Sequence, residues 1–235
     1  VEEILDIKLD LNDIKQERTD KPVPDPVINQ AFVEALAAEL PAGRTSDDPR
    51  ERLVHSHGQT TVDEIYQVLY THLDRVVDLV VWPESHDEAA TLVRLATEHD
   101  ICLVPYGGGT SVSAALKLPA NERRMIVSVD MRRMDAIEWI DRENMRASVQ
   151  AGITGKHLEE RLAAEGFTCG HEPDSVELST LGGWIATNAS GMKKNRYGNI
   201  EDVVENVTLV TPRGVIEHLM DMPRVSMGVE PRRLA

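Results

Sequence analysis

Two weakly charged stretches hold the residues most able to do chemistry. The first is Pro105, Tyr106, Gly107, Gly108, Gly109, Thr110 and Ser111, three successive glycines followed by two hydroxyls. Without Cβ atoms in the way, consecutive main-chain N–H groups can converge on an anion, and the Thr110 and Ser111 hydroxyls add donors. The stretch lacks the lysine of a nucleoside-triphosphate loop and the G-x-G-x-x-G that opens a Rossmann helix. A diphosphate held without a cationic clamp suits it; a tight glycine turn with no ligand is the alternative. The second stretch runs from Pro173 to Gly191. It contains Asp174, Ser175, Val176, Glu177, Leu178, Ser179 and Thr180, then Gly182 and Gly183, then Thr187, Asn188, Ala189 and Ser190. It reads as a glycine-rich loop on whose bare backbone a large flat ligand can lie. Two such loops in one chain suggest one extended cofactor.

The other reactive residue types carry less. His55 and His57 invite a metal reading, but no third or fourth ligand follows at useful spacing, and a structural role is the expectation. Cys102 and Cys169 have neither metal nor redox spacing, which points to a reducing compartment. Lys193, Lys194 and Arg196 form the one dense basic cluster near the second stretch. They read as a solvated face, with attraction of a phosphate as the alternative.

The elements that must position these stretches follow from periodicity. Residues 1–30 read as an acidic, extended lead-in with Pro22, Pro24 and Pro26 near its end. Val27 to Leu40 has helical spacing and is stopped by Pro41-Ala-Gly43, and Asp47 to Arg50 reads as a turn. Leu79 to Trp82 and Ile101 to Val104 read as buried strands. Between them Ser85 and Glu88 form a capping box for a helix with Ala89, Leu92, Val93 and Ala96 inward. Strand, helix and strand make a parallel βαβ unit, and the triple glycine falls at the carboxyl end of its second strand, where open α/β sheets bind ligands. Met125 to Asp130 is a further strand, and Ile137 to Ile140 with Met145 to Gln150 a hairpin. Thr154 to Glu165 is a helix with Leu158, Leu162 and Ala163 inward. Val203 to Val210 with Val215 to Glu217 is a second hairpin, turning at Thr211-Pro-Arg-Gly214. The order of elements predicts an α+β fold of two lobes.

With 235 residues, 41% hydrophobic and 28% charged, the chain is long enough for a substantial core. A net charge of −15 argues against nucleic acid as a partner. No apolar run reaches the 18 or so residues of a membrane-spanning helix.

Three segments together resemble a known family. They are Pro105 to Ser111, Gly170-His-Glu-Pro-Asp-Ser175 with Thr180-Leu-Gly-Gly-Trp184, and Ser190-Gly-Met-Lys-Lys-Asn-Arg-Tyr-Gly-Asn-Ile-Glu-Asp202. They resemble the alkyldihydroxyacetonephosphate synthase family, part of the flavoprotein superfamily of vanillyl-alcohol oxidase and p-cresol methylhydroxylase (PCMH). The resemblance covers about Arg52 to the end of the chain and extends more loosely from Val27. The glycine loop is shared across the superfamily, whereas Gly170 to Ser175 and Met192 to Tyr197 are more specific. The competing readings are an FAD-dependent 2-hydroxy-acid dehydrogenase and a non-catalytic flavin-binding fragment.

The resemblance implies a two-lobed PCMH-type FAD-binding domain over residues 75–235, incomplete at its carboxyl end and lacking a cap domain. A partly helical extension over residues 1–74 precedes it. It implies non-covalent FAD, since no histidine stands in Gly107 to Ser111. Pro105 to Ser111 would take the diphosphate, Asp174 to Thr180 would line the cofactor, and Thr187, Asn188, Ala189 and Ser190 would touch it again. Asn188 stands where mammalian relatives have arginine, which favours a backbone contact there. The implied reaction exchanges the acyl group of acyl-dihydroxyacetone phosphate for a long-chain fatty alcohol, forming the ether bond of ether lipids. The catalytic residues are expected in a region beyond Ala235, so none is assigned here, and the chain alone is expected to be inactive. The family further implies a peroxisomal location, and leaves a membrane surface and a homodimer open as partners.

Overall fold

The computed structural model describes residues 22–217; most of the acidic lead-in and the Pro223 to Gly228 stretch lie outside that range. Helix α1 is Gln30–Glu39, opened by the Asn29 side chain, which accepts from the Phe32 N–H at 3.1 Å. Phe32 and Leu36, one turn apart, are buried with Leu40 in a core that also holds Leu79, Val81, Leu92, Leu95, Val127 and Val129. This helix is therefore part of the same packed body as the first sheet. The stretch Asp47 to Arg50, expected as a turn, instead opens helix α2, Pro49–Val54. Asp48 caps it by accepting from the Arg50 and Glu51 N–H groups, and Pro49 occupies the first helical position, where its missing N–H costs nothing. A third helix, α3 (Val62–Tyr70), follows. It has no counterpart among the elements expected from periodicity.

Strands β1 (Thr45–Ser46), β2 (Leu79–Val81), β3 (Cys102–Tyr106) and β4 (Ile126–Asp130) form one sheet in the order β1-β2-β4-β3. β4 is parallel to both β2 and β3, and β1 is the antiparallel edge. The predicted βαβ unit exists, with helix α4 (His86–Glu98) capped by Ser85, whose hydroxyl accepts from the Glu88 N–H. Ala89, Leu92, Leu95 and Ala96 are its buried residues, Leu95 taking the place expected of Val93. The two strands flanking α4 are not neighbours, because β4 lies between them. The reason is its apolar run: Val127 and Val129 face the α1 and α4 core while Ile126 packs with Val77 and Val80 on the other face. A strand buried on both faces belongs in the middle of a sheet.

The second lobe begins with the hairpin β5 (Ile137–Asp141) and β6 (Arg146–Val149). Asp141 turns it by accepting from the Glu143 and Asn144 N–H groups. Helix α5 (Gly155–Ala164) buries Leu158 and Leu162 against Ile153, Trp184 and Ile200. Ala163, expected inward, is exposed, since it lies one residue past the Leu158–Leu162 stripe. Helices α6 (Leu181–Thr187), α7 (Lys194–Tyr197) and α8 (Ile200–Val203) follow, and β7 (Leu209–Thr211) pairs with β8 (Gly214–Ile216). The strand expected from Val203 to Val210 is thus only its last two residues plus Thr211. Upstream, Asn199 and Asp202 form a reciprocal capping box that turns residues 200–203 into a helix. The molecule is a two-lobed α+β fold.

Candidate functional site

The glycine loop leaves the sheet where the sequence places it. Tyr106, the last residue of β3, sits opposite Asp130, the last of β4, so the loop starts at the carboxyl edge of two neighbouring parallel strands. Pro105 is exposed and Tyr106 is buried. Gly107, Gly108, Thr110 and Ser111 are half-buried, and Gly109 is buried. Gly109 has φ +65°, a left-handed conformation that side chains disfavour. None of the five N–H groups from Gly107 to Ser111 has a hydrogen-bond acceptor among the described residues. In a segment this sheltered from water, five free donors in a row are an anion site in waiting.

Beneath the loop is a polar cluster that the sequence reading missed. The Asp130 carboxylate is fully buried and accepts from His55 Nε2 at 2.9 Å, Trp82 Nε1 at 2.8 Å and Arg132 Nη2 at 2.6 Å. Burial opposes its ionisation, but the hydrogen bonds from His55 and Arg132 outweigh that and hold it well below the usual carboxylate range. The other His55 nitrogen, Nδ1, lies 2.7 Å from the Glu51 carbonyl oxygen. Both ring nitrogens therefore lie against oxygens of the protein rather than toward solvent. The Tyr106 ring packs 4.4 Å from the His55 ring, with the Arg132 guanidinium 5.4 Å from its centre. Burial pushes the Tyr106 phenol up. His55 is thus a satisfied core residue rather than a metal ligand. The legible signal was an aspartate closing an apolar strand.

The second stretch is brought against the first. A Cβ on Gly108 would run into the Leu178 carbonyl, and one on Gly107 into the Thr180 hydroxyl. The backbone of residues 178–180 therefore lies directly on the glycine loop. Within it Asp174, Glu177 and Leu178 are exposed and Ser175 is half-buried. Val176 packs into the second lobe's core, while Ser179 and Thr180 are buried. The Ser179 hydroxyl accepts from Trp184 Nε1 at 2.7 Å, and Thr180 caps α6. Both side chains are occupied structurally.

One expectation is overturned here. Gly182 and Gly183 are not a bare loop; they lie in the first turn of α6. Their N–H groups are taken by the Ala151 carbonyl at 2.7 Å and the Thr180 hydroxyl at 3.4 Å, so no ligand can lie on them. The glycines serve packing instead, since a Cβ on Gly182 would come within 2.9 Å of Ala151 Cβ.

The third group closes α6. Thr187 donates to the Gly183 carbonyl, the Ala189 N–H to Trp184, and Ser190 to the Asn199 side chain. Asn188 is left-handed at φ +46°. Asparagine tolerates that conformation better than other side chains, which accounts for its presence in a helix cap. These four residues make their hydrogen bonds within residues 183–200, and none runs to the glycine loop. Thr187, Asn188 and Ser190 are exposed. Lys193 pairs with Glu172, Arg196 lies over Tyr197 at 5.2 Å, and all three basic side chains, Lys194 included, are exposed on the surface. Nearby, His171 is buried against Trp184 and neither ring nitrogen has a partner among the described residues. Burial pulls its pKa down.

FAD is a good match to this arrangement: a diphosphate would satisfy the orphan donors of Gly107 to Ser111, and the 174–178 turn, exposed at Asp174, Glu177 and Leu178, flanks them. Residues 77–220 match a family model described as FAD binding domain. The chain is 44% identical over 227 residues to an alkyldihydroxyacetonephosphate synthase of Caenorhabditis elegans, covering 97% of this chain and 38% of that one. The Trypanosoma brucei brucei alkyldihydroxyacetonephosphate synthase is 39% identical over 205 residues, covering 87% of this chain and 33% of its own. A solved alkyldihydroxyacetonephosphate synthase superposes with a TM-score of 0.85 at 35% identity, over 93% of this chain and 40% of that structure. The chain spans under two-fifths of the length of these two curated relatives.

Proposed function

The chain belongs to the FAD-binding domain family, and from that premise we propose that it is the flavin-holding part of an alkyldihydroxyacetonephosphate synthase. The observation that carries the proposal is the row of five N–H groups without an acceptor among the described residues, at the carboxyl edge of β3 and β4 and clasped by residues 178–180. The loop's donors hold the FAD diphosphate without covalent attachment, and its hydroxyls at Thr110 and Ser111 add to them. The Tyr106–Asp130 cluster fixes where the loop leaves the sheet. The turn at residues 174–178 flanks the cofactor, and the backbone of residues 187–190 approaches it from the second lobe. When bound, FAD supplies the ring chemistry through which group exchange proceeds. The substrates are acyl-dihydroxyacetone phosphate and a long-chain fatty alcohol, and the product is an ether lipid precursor. Synthase relatives at 39–44% identity support this over the 2-hydroxy-acid dehydrogenase reading. Peroxisomal residence, a membrane surface and a homodimer belong to the same proposal and rest on the family resemblance alone.

Two measurements test it. In a flavin titration, FAD should bind one to one and at least about tenfold tighter than riboflavin, which lacks the diphosphate. Equal affinity for the two would remove Gly107 to Ser111 from the cofactor site. In a chimera, this chain replaces the matching segment of the Caenorhabditis elegans relative. Alkyl product from acyl-dihydroxyacetone phosphate and hexadecanol is expected. A chimera that retains FAD but makes no alkyl product counts against the synthase assignment.

A further inference from the structure

The donors of the glycine loop point at a ligand only if their peptide planes are held, and the holding groups lie outside the matched family region. The Gly109 carbonyl accepts from the Gln59 N–H at 2.6 Å, and the Thr110 carbonyl accepts from the Thr60 hydroxyl at 3.3 Å. A trans peptide points its carbonyl and the following N–H in opposite directions. Tying down Gly109 O therefore turns the Thr110 N–H away from residues 59–60, and tying down Thr110 O does the same for Ser111. Gln59 Nε2 also donates to the Tyr106 hydroxyl at 3.5 Å, at the loop's root.

Residues 58–61 are themselves fixed by one buried acid. Glu64, on α3, is 7% exposed. Its Oε1 accepts from the Gly58 N–H at 2.8 Å, and its Oε2 accepts from the Thr61 hydroxyl. Gly58 is pressed between this carboxylate and the loop, since a Cβ there would lie 3.2 Å from the Ser111 carbonyl oxygen. One side chain thus spans the turn from end to end, and the two residues between its anchors grip the two loop carbonyls.

We propose that the Gly58–Thr61 turn, held by Glu64, is a clamp that preorganises the glycine loop for the FAD diphosphate. The inference rests on the flavin reading above. Glu64 and Thr60 are positioning residues: they touch the loop and its support, not the cofactor. The residues before position 77 then contribute to cofactor affinity as well as to the core.

The test is FAD titration of the full chain carrying Thr60→Val, Thr60→Ser, Glu64→Ala or Glu64→Gln, with the thermal midpoint of each apo protein measured alongside. Thr60 is exposed, so its replacement leaves the core intact. Thr60→Val should weaken FAD binding about three- to tenfold, the value of one hydrogen bond, with the apo midpoint unchanged. Thr60→Ser, which keeps the hydroxyl, should restore the parent affinity. Glu64→Ala should lose more than Thr60→Val, and Glu64→Gln, which keeps an acceptor for Gly58, should recover most of it. Riboflavin affinity should move in none of them. If the parent binds FAD and Thr60→Val binds it equally well, the clamp is overturned while the flavin reading stands. If the parent takes up no FAD, the flavin reading fails. The clamp is then judged by the backbone ¹⁵N order parameter of Ser111, which should fall in Thr60→Val; an unchanged value overturns it.

Discussion

The two lobes each bury a histidine to the same degree, 1% exposed, and treat it in opposite ways. In the first lobe both His55 nitrogens meet oxygens, and the partner Asp130 is also held by Trp82 and Arg132. In the second, both His171 nitrogens are orphaned against Trp184 among the described residues. A buried polar network that is fully paired makes its region rigid, whereas an unpaired buried polar group is a standing cost. The first lobe therefore supplies the fixed platform from which the glycine loop leaves. The second meets it through close backbone packing at Leu178 and carries a group that would be better off solvated or bonded.

The largest expected effect breaks the first lobe's side of this contrast. Asp130→Ala leaves His55, Trp82 and Arg132 facing a cavity, and should cost about 3–5 kcal/mol in urea unfolding. A loss below about 1 kcal/mol would show that the cluster does not hold the platform. Next comes the contact between lobes. Gly108→Ala drives a Cβ into the Leu178 carbonyl, which is backbone and cannot swing aside. A cost of about 1–3 kcal/mol is expected, with a fall in thermal midpoint. An unchanged midpoint would mean that residues 178–180 do not rest on the loop.

Acid should separate the lobes. The folded pKa of His171 is lowered by burial, so its contribution is intact above the ordinary histidine value and is lost as pH falls through that value toward the lowered one. Asp130 is also depressed, so its contribution is intact above the ordinary carboxylate value and is lost only in more acidic solution, as pH falls toward its own lowered pKa. Between pH 7.5 and 5.5, hydrogen exchange corrected for intrinsic rate should accelerate around residues 170–200 and stay constant around residues 101–111. Uniform acceleration of both would dissolve the contrast. The smallest effect is His171→Leu, which removes the orphaned nitrogens. Stability should be unchanged or rise by up to about 1 kcal/mol, and the pH dependence of the second lobe should flatten. A loss of more than about 2 kcal/mol would mean that the histidine has a partner in solution.

Local chemistry was legible wherever a pattern closes within a few residues. Ser85 with Glu88, the paired runs 137–140 and 145–150, and the apolar runs at 79–81 and 126–130 named their own elements. The glycine loop's place at the carboxyl end of β3 also followed from order alone. Gly182 and Gly183 misled because glycine marks bare backbone equally in a loop and where a helix must pass close to another chain segment, here at Ala151. Pro49 misled for a related reason: proline starts helices as readily as it makes turns.

By itself the sequence determined an α+β chain with a polar glycine loop on a parallel sheet, and enough motif to join it to a flavoprotein family. Only the tertiary structure decided that β4 lies between β2 and β3, that Leu178 closes on Gly108, that Asp130 gathers His55, Trp82 and Arg132, and that Glu64 braces the turn gripping the loop. Each of these joins residues far apart in the chain, or depends on which backbone groups are left unpaired after folding. Neighbouring side chains dictate a helix or a turn through local sterics and hydrogen bonds. A carboxylate's partners are chosen only when packing excludes water, and until then every candidate is equally open to it.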